Sequence, residues 1–410
     1  MKNKILLFVG LIATILFSLS TKVNAQIINT NIDKDYEKYL ERNWQQVQLS
    51  TEIQNKMKKY YNIKDSFRDL YPDYYGGMYI SNDAKNLIIQ VVKENIPVKE
   101  SNDYLIYDEI IGMSDSILIE YVKNSFNELN LVNNYITDSL MENKLIDKNL
   151  ISTGLDIMNN SVFIELKNNS TENHIKINDM IKKANIVDKD VIKYSSAQNH
   201  TTSANINAGG KILRVSGQSN NYCSMGMRVK YNGNNGYLTA GHCAIGYTSF
   251  PSGTIQVKQF YHNQYYDYAF VKTNNSYTPT NNLQSHSVSP IPSNITKLGL
   301  INYCPTITVN MAISKNGVRT GYTTGKVTVL NQSIYYDTDG DGVSDTRIYG
   351  LVTSNVYQGK GDSGGAVMIP RTDANGGAIG LGLLSGGIDM SNTMHFSDLN
   401  VLPVALQNRY

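Results

Sequence analysis

The sequence predicts two folds in one chain, an α+β segment followed by an all-β domain, and three observations carry that prediction. All 11 glutamates lie between Glu37 and Glu172, and none follows. Apolar residues at helical spacing, as in Tyr36, Tyr39 and Leu40 or Ile111, Ile117, Leu118, Tyr121 and Val122, belong to the first half. From Thr201 onward Gly, Thr, Ser, Tyr and Asn dominate, and short alternating runs at residues 212–216, 254–259 and 326–330 are bounded by turn residues, as strands are.

The elements follow in chain order. Lys2 and Lys4 precede an apolar run over residues 5–19, and Val23-Asn24-Ala25 fits the small-residue cleavage rule, so residues 1–25 read as a secretory signal peptide with Gln26 the first retained residue. The run is shorter than the roughly 20 residues that a membrane span needs. No later stretch is long and apolar enough to span, so the expected product is exported and soluble; a monomer is expected. Residues 26–200 form the helix-containing segment and residues 201–410 the β domain. Between them, residues 195–209 are small and polar without periodicity, which suits an exposed, protease-accessible joint.

Charge narrows the partners. With 410 residues, 41% hydrophobic and 18% charged, the composition is that of a globular protein. The net charge of +2 comes with no dense Lys/Arg patch, which argues against nucleic acid or an anionic membrane as the main partner. In residues 201–410, 14 Lys or Arg stand against nine Asp, so that part carries +5 and the remainder −3. Opposite charges suit an encounter between the two segments.

Three cysteines in an exported chain allow one disulfide. Cys223 and Cys243 flank a strand-like stretch, residues 225–239, that can fold back as a hairpin, and these two are expected to pair. Such a bridge adds about 3 kcal/mol, mainly by restricting the unfolded chain. Cys304, in the strand-like residues 303–309, reads as a buried unpaired thiol.

The chemistry sits in two pentapeptides, Thr239-Ala240-Gly241-His242-Cys243 and Gly361-Asp362-Ser363-Gly364-Gly365. A serine hydroxyl is a poor nucleophile until a base takes its proton, and the base needs a carboxylate that holds its tautomer and stabilises the imidazolium. Ser363 is the candidate nucleophile and His242 the base. Asp267, within Tyr265-Tyr266-Asp267-Tyr268-Ala269-Phe270-Val271, is the one Asp in the stretch whose neighbours would bury it. Asp337, Asp339, Asp341 and Asp345 cluster in a hydrophilic loop, and Asp362 adjoins the nucleophile.

Residues 209–410 resemble the chymotrypsin-like serine peptidases, specifically the bacterial branch that holds α-lytic protease and the streptogrisins. The resemblance runs through Gly209-Gly210, Cys223-Ser224-Met225-Gly226-Met227, the His242 pentapeptide, Asp267-Tyr268-Ala269, Thr320-Gly321 with Gly325, the Ser363 pentapeptide and Ser385-Gly386-Gly387. It implies two six-stranded antiparallel β-barrels with the site in the cleft between them. It implies an oxyanion hole from the N–H groups of Gly361 and Ser363, and a strand at Ser385, Gly386 and Gly387 that pairs with extended substrate. It implies a buried cation for Asp362, and alignment on Gly317 offers Lys315 where arginine is usual. Tyr357 stands where the family has a cysteine, and Ala366 where proline is frequent.

Relatives in this branch carry N-terminal pro-regions that assist folding and block the cleft. Residues 74–80 and 86–92 resemble the strand pair of such segments, so residues 26–200 are expected to act as an intramolecular inhibitor, removed by a cut within residues 200–209. The alternative is a binding domain retained in the mature protein.

Specificity rests on Gln358, Leu384, Ser385, Gly386, Gly387, Thr393 and His395. No Asp marks the pocket base, so cleavage after Arg or Lys is not expected. His395 and Thr393 suit a carboxylate, whereas Leu384 with Gln358 suits a medium apolar side chain. The loop Asp337-Thr338-Asp339-Gly340-Asp341-Gly342-Val343-Ser344-Asp345 spaces oxygens as a calcium loop does, although Ile348 takes the place of the usual bidentate Glu. A structural Ca²⁺ is expected there, and no cofactor for catalysis. The whole reading is a secreted serine endopeptidase acting on peptides or proteins. Its rivals are a non-catalytic homologue that binds, and an esterase using the same three residues.

Overall fold

A computed structural model describes residues 34–64, 69–142, 150–183, 191–196, 200–202, 211–213, 222–245, 255–263, 266–273, 282–283, 285–295, 297–298, 305–337, 346–372 and 377–401. The expected signal peptide, Cys304, and Asp339, Asp341 and Asp345 lie outside these residues, as does the side chain of Asp337.

The first half begins with the long helix α1 (Lys34–Tyr61), which carries Asp35 and Glu37 in its first turn and Lys58 and Lys59 in its last, each facing the favourable end of the helix dipole. The strand pair read from residues 74–80 and 86–92 is β1 (Tyr75–Ile80) and β2 (Leu87–Val92), antiparallel with Met78 opposite Ile89. Helix α2 (Asn102–Ile111), capped by the Ser101 hydroxyl on the Tyr104 N–H, returns the chain so that β3 (Ile117–Val122) lies parallel to β2. Helix α3 (Phe126–Glu142) leads to a second set, β4 (Leu150–Asp156), β5 (Ser161–Leu166), helix α4 (Thr171–Lys183) and β6 (Ile192–Ser196).

The β half opens with β7 (His200–Thr202), β8 (Lys211–Leu213) and β9 (Tyr222–Ser224). Then come β10 (Arg228–Tyr231), β11 (Asn234–Thr239), β12 (Ile255–Asn263) and β13 (Tyr266–Thr273). The hairpin expected inside residues 225–239 is β10–β11, turned at Asn232-Gly233 with φ of 46° and 77°. Both residues sit at positive φ, the geometry that matches strand twist and that Asn-Gly adopts at least cost. The later strands are β14 (Lys297–Leu298), β15 (Ala312–Gly317), β16 (Gly321–Asp337), β17 (Thr346–Ser354), β18 (Ala366–Thr372), β19 (Gly377–Gly387) and β20 (Met394–Asp398).

Among the described residues one six-stranded ring closes, β15-β18-β19-β20-β17-β16 with β16 pairing back onto β15, Ala312 opposite Lys326 and Gly317 opposite Gly321; a second six-stranded barrel is not resolved. A separate sheet is four-stranded, in the order β10-β11-β13-β12, and β8 pairs with β9 alone. The ring belongs to an eleven-stranded sheet that runs β15-β18-β19-β20-β17-β16-β4-β5-β6, with β14 and β7 attached. It extends past the β half because the edge of β16 is taken by β4, Ser333 opposite Thr153 and Ile334 opposite Ser152. An exposed edge offers unpaired N–H and C=O groups, and the first half satisfies them.

The two halves also share a core. Val47, Ile53, Met78, Leu129 and Leu155 pack in one buried cluster with Val309, Met311, Ile313, Val327, Leu384 and Phe396. Amide side chains bond across the halves: Asn43 Nδ2 donates to the Asn310 carbonyl at 3.1 Å, and Asn43 Oδ1 accepts from the Ala312 N–H at 2.9 Å. Asn331 Nδ2 donates to Asn130 Oδ1 at 2.9 Å. Two further expectations change. Residues 305–308 are not strand, because they dock on α1, with the Thr306 N–H donating to Thr51 Oγ1. The joint at residues 195–209 is not uniformly loose, since its first two residues end β6 and residues 200–202 are paired.

Candidate active site

His242 lies in a short 3₁₀ turn, Gly241–Ala244, directly after β11 and is 4% exposed. β13 runs antiparallel to β11 and carries Asp267, which has no exposure. The pairing brings the carboxylate to the ring's Nδ1: Asp267 Oδ2 is 2.9 Å from His242 Nδ1, and Oδ1 accepts from the His242 backbone N–H at 2.8 Å. A carboxylate held by both ring and backbone favours the imidazole tautomer with Nδ1–H directed at Asp267.

Ser385, read from the sequence only as part of the substrate strand, ties the groups together. Its hydroxyl donates to Asp267 Oδ2 at 2.5 Å, and its carbonyl accepts from Ser363 Oγ at 3.2 Å. Tyr336 donates in turn to Ser385 Oγ at 3.4 Å. Ser385 sits in β19, fully buried, so its two polar ends are held by the strand that carries them.

The Ser363 turn is bound from three sides. Gly361 and Gly364 have φ of 116° and 82°, backbone that L side chains rarely adopt. At Gly364 a Cβ would also fall 2.1 Å from the Ser224 carbonyl. Ser224 Oγ donates to the Gly361 carbonyl at 2.9 Å, and the Ser224 N–H donates to the Ser363 carbonyl. Ser224 follows Cys223, which is joined to Cys243 with Cα atoms 6.0 Å apart. The disulfide therefore links the His242 turn to the residue that grips the Ser363 turn. Cys223, His242 and Cys243 lie close enough for a metal set, but both sulfurs are consumed by the bridge.

Lys315 fills the place expected of it. Its Nζ lies 2.9 Å from Asp362 Oδ2, both side chains are fully buried, and it also donates to Thr320 Oγ1 and to the Gly321 carbonyl. Asp362 accepts further from the N–H groups of Gly359, Arg319 and Thr320 and from Thr320 Oγ1. Burial pulls the Lys315 ammonium below its ordinary range, against the opposing pull of Asp362. Neither Thr320 nor Ser224 stands out in sequence as a support, since Ser and Thr at turns are common.

The specificity residues are brought together in part. β19 pairs with β20 so that Gly386 faces His395 and Leu384 faces Phe396. His395 is buried, with Nδ1 2.8 Å from Thr353 Oγ1, and Leu384 belongs to the large core. Gln358 is fully buried. It exchanges backbone hydrogen bonds with Ser391 and donates from Nε2 to the Ile388 carbonyl, while its Oε1 has no partner among the described residues. Thr393 is half-buried, and its carbonyl accepts from the Ile388 N–H.

A buried imidazole–carboxylate pair, joined through Ser385 to a serine in a glycine turn, is the arrangement of a serine hydrolase. Comparison with known proteins gives it a family. A family model described as a Pro-like N-terminal domain matches residues 34–122. The chain is 31% identical over 180 residues to streptogrisin-A of Streptomyces griseus, covering 44% of this chain and 52% of that protein. It is 32% identical over 190 residues to serine protease 2 of Streptomyces fradiae, covering 44% of this chain and 94% of that one. Glutamyl endopeptidase 2 of Streptomyces griseus is 26% identical over 175 residues, with 42% and 81% covered. The chain belongs to the streptogrisin family of bacterial chymotrypsin-fold serine proteases, with a pro-like region ahead of the β-rich domain. It spans 41% to 52% of the length of the first three relatives it matches. Among the described residues no helix is long and apolar enough to cross a membrane.

Proposed function

We propose that this chain is an exported serine endopeptidase made as a zymogen, with residues 26–200 as its folding and inhibitory segment. The observation that carries the reading is the buried Ser385 bridge, hydroxyl on Asp267 and carbonyl on Ser363, with Asp267 in turn on His242 Nδ1. Ser363 Oγ turns from the Ser385 carbonyl to His242 Nε2, gives up its proton there and bonds to the substrate carbonyl carbon. The oxyanion so formed is taken by the N–H groups of Gly361 and Ser363. His242 then protonates the leaving amine, the C–N bond breaks, and an acyl ester remains on Ser363. Water attacks that ester with His242 again as base, releasing the acid and restoring Ser363. Asp267 holds the ring throughout and stabilises its charged form. The steps need no cofactor. A calcium ion bound at residues 337–345 would be structural, detected as a thermal midpoint that rises with calcium and falls with chelator.

For the residue before the scissile bond we infer an uncharged side chain. A buried amide oxygen at Gln358 without a donor repels a carboxylate, and the Nδ1 side of His395 is engaged with Thr353. The glutamyl endopeptidase among the relatives keeps the opposite reading in the test.

The test is labelling by a fluorophosphonate, with Ser363→Ala as control, followed by peptide and ester turnover. Labelling lost in Ser363→Ala and faster peptide turnover support the proposal. No labelling leaves a binding homologue, and ester turnover alone leaves an esterase. Peptides varied only before the scissile bond read the pocket, and preference for Glu sinks the uncharged reading.

A further inference from the structure

The backbone N–H groups around Ser363 can be accounted for one by one. Gly359 donates to Asp362 Oδ2, Lys360 to Asp389 Oδ1, Asp362 to the Gly359 carbonyl, Gly364 to the Leu384 carbonyl and Gly365 to the Asp362 carbonyl. In this turn only the N–H groups of Gly361 and Ser363 have no acceptor among the described residues. Both residues are buried, and buried donors left open in one turn are what a developing oxyanion would fill.

Gly361 needs holding. Its φ of 116° is open at low cost to glycine alone, and the same freedom lets the peptide between Lys360 and Gly361 turn its N–H away. Ser224 supplies the hold. Its Oγ donates to the Gly361 carbonyl at 2.9 Å and accepts from the Val318 N–H at 3.2 Å. Its own N–H donates to the Ser363 carbonyl, and its carbonyl accepts from Thr239 Oγ1 at 2.8 Å. Every polar atom of this fully buried residue is thereby bound, with contacts in β11, in the turn after β15 and on both sides of Asp362. With the Lys360 N–H pinned on Asp389 Oδ1 at 2.6 Å and the Gly361 carbonyl pinned on Ser224, the peptide between them can turn only about its own two flanking bonds. Freeing the Gly361 carbonyl adds a third.

Resting on the endopeptidase reading above, we propose that Ser224 is a positioning residue for the oxyanion hole: its hydroxyl holds the Gly361 carbonyl so that the Gly361 N–H stays aimed where the substrate oxygen gains charge. Ser224 touches no reacting atom. It acts through Gly361, and it ties the hole to the base, because Cys223 beside it is bridged to Cys243 beside His242. The effect belongs to the transition state, since a substrate carbonyl in its ground state carries little charge for that N–H to meet.

A purely structural serine at this place would behave differently. Its loss would reduce the number of folded sites, whereas a misaimed donor lowers the rate at each site. Removing an oxyanion donor outright costs about 10²–10³ in kcat, so a donor that is present but no longer aimed should cost about tenfold to about hundredfold.

The experiment compares Ser224→Ala with the parent chain, both expressed from residue 26 and followed until peptide turnover is constant. Sites are counted by the end point of fluorophosphonate labelling, and kcat, KM and inhibition by a peptide aldehyde and its matching alcohol are measured per site. The aldehyde forms a tetrahedral adduct on Ser363 whose oxygen needs the hole; the alcohol forms none. Ser224→Ala should lose about tenfold to about hundredfold in kcat with KM held within about twofold, and aldehyde affinity should fall by a like factor while alcohol affinity holds. A kcat per site within about twofold of the parent's overturns the proposal, and so does a loss shared equally by aldehyde and alcohol. If Ser224→Ala yields no countable sites, Ser224→Gly, which also lacks the hydroxyl, is read against the same limits. A parent that takes no fluorophosphonate and cleaves no peptide loses the endopeptidase reading itself. A parent that does both, beside an unimpaired Ser224→Ala, loses only this role for Ser224.

Discussion

Lys315→Met is the most informative substitution in the molecule. It keeps the aliphatic stem in a fully buried site and removes only the charge that lies 2.9 Å from Asp362 Oδ2. Breaking a buried ion pair by deleting one partner costs about 3–5 kcal/mol, because the other charge stays desolvated. Asp362 keeps four donors after the change, the N–H groups of Gly359, Arg319 and Thr320 and the Thr320 hydroxyl, so the lower end, about 3 kcal/mol, is expected. Asp362→Asn should cost more, since Lys315 would retain only neutral acceptors at Thr320 and Gly321. The assay is urea unfolding of the full chain carrying Ser363→Ala, which removes self-cleavage from the measurement. With an m-value of about 3 kcal/mol/M, the Lys315→Met midpoint should fall by about 1 M. The double variant should be less destabilised than the sum of the singles, by about 1–3 kcal/mol of coupling. A loss below about 1 kcal/mol for Lys315→Met, with additive singles, would refute the claim that this lysine neutralises Asp362.

Three other outcomes follow from the same geometry. Asn43→Ala strips partners from the Ala312 N–H and the Asn310 carbonyl, both inside the joint between the halves, and should cost about 2 kcal/mol by urea midpoint. Burial holds the His286 imidazole below its usual range, against the opposing pull of Asp362 and with Lys315 adding to it, so the unfolded chain binds that proton more readily. Stability from this group is therefore full above the ordinary histidine range and lost as pH falls through it. His286→Gln should flatten the change in urea midpoint between about pH 7.5 and about pH 5. After the linker is cut, the two fragments should co-elute in size exclusion and separate only in denaturant, because the cut breaks none of the β4–β16 pairs; separation in plain buffer counts against the shared sheet.

The chemistry was more legible than the architecture, and the reason is distance along the chain. His242, Asp267, Ser363 and the Cys223–Cys243 pair announce themselves through residue type and immediate neighbours, and the β10–β11 hairpin through Asn232-Gly233. Lys315 was reached only through resemblance, since nothing local marks a buried lysine as the partner of an Asp 47 positions away. The Ser385 hydroxyl was missed because a serine in a small-residue strand signals nothing until the fold brings Asp267 within 2.5 Å. The edge of β16 was missed for the same cause: Ser333 and Ile334 alternate as strand residues should, but the partners that cover them are Thr153 and Ser152.

Those pairs bear on why the chain carries a first half at all. Long-range strands form slowly, since the loops that join them must be closed before any contact repays the entropy. β4 offers β16 a partner on its free edge, while Val47, Ile53 and Leu155 offer apolar surface to Val309, Ile313 and Val327. Both contacts are made with residues of the β half that are distant from His242 in sequence. A segment that stabilises this sheet favours assembly of the half carrying Ser363 and Ser385. Just after this segment comes β7, whose Thr202 and Thr201 pair with Gly386 and Gly387 at the end of the strand that carries Ser385.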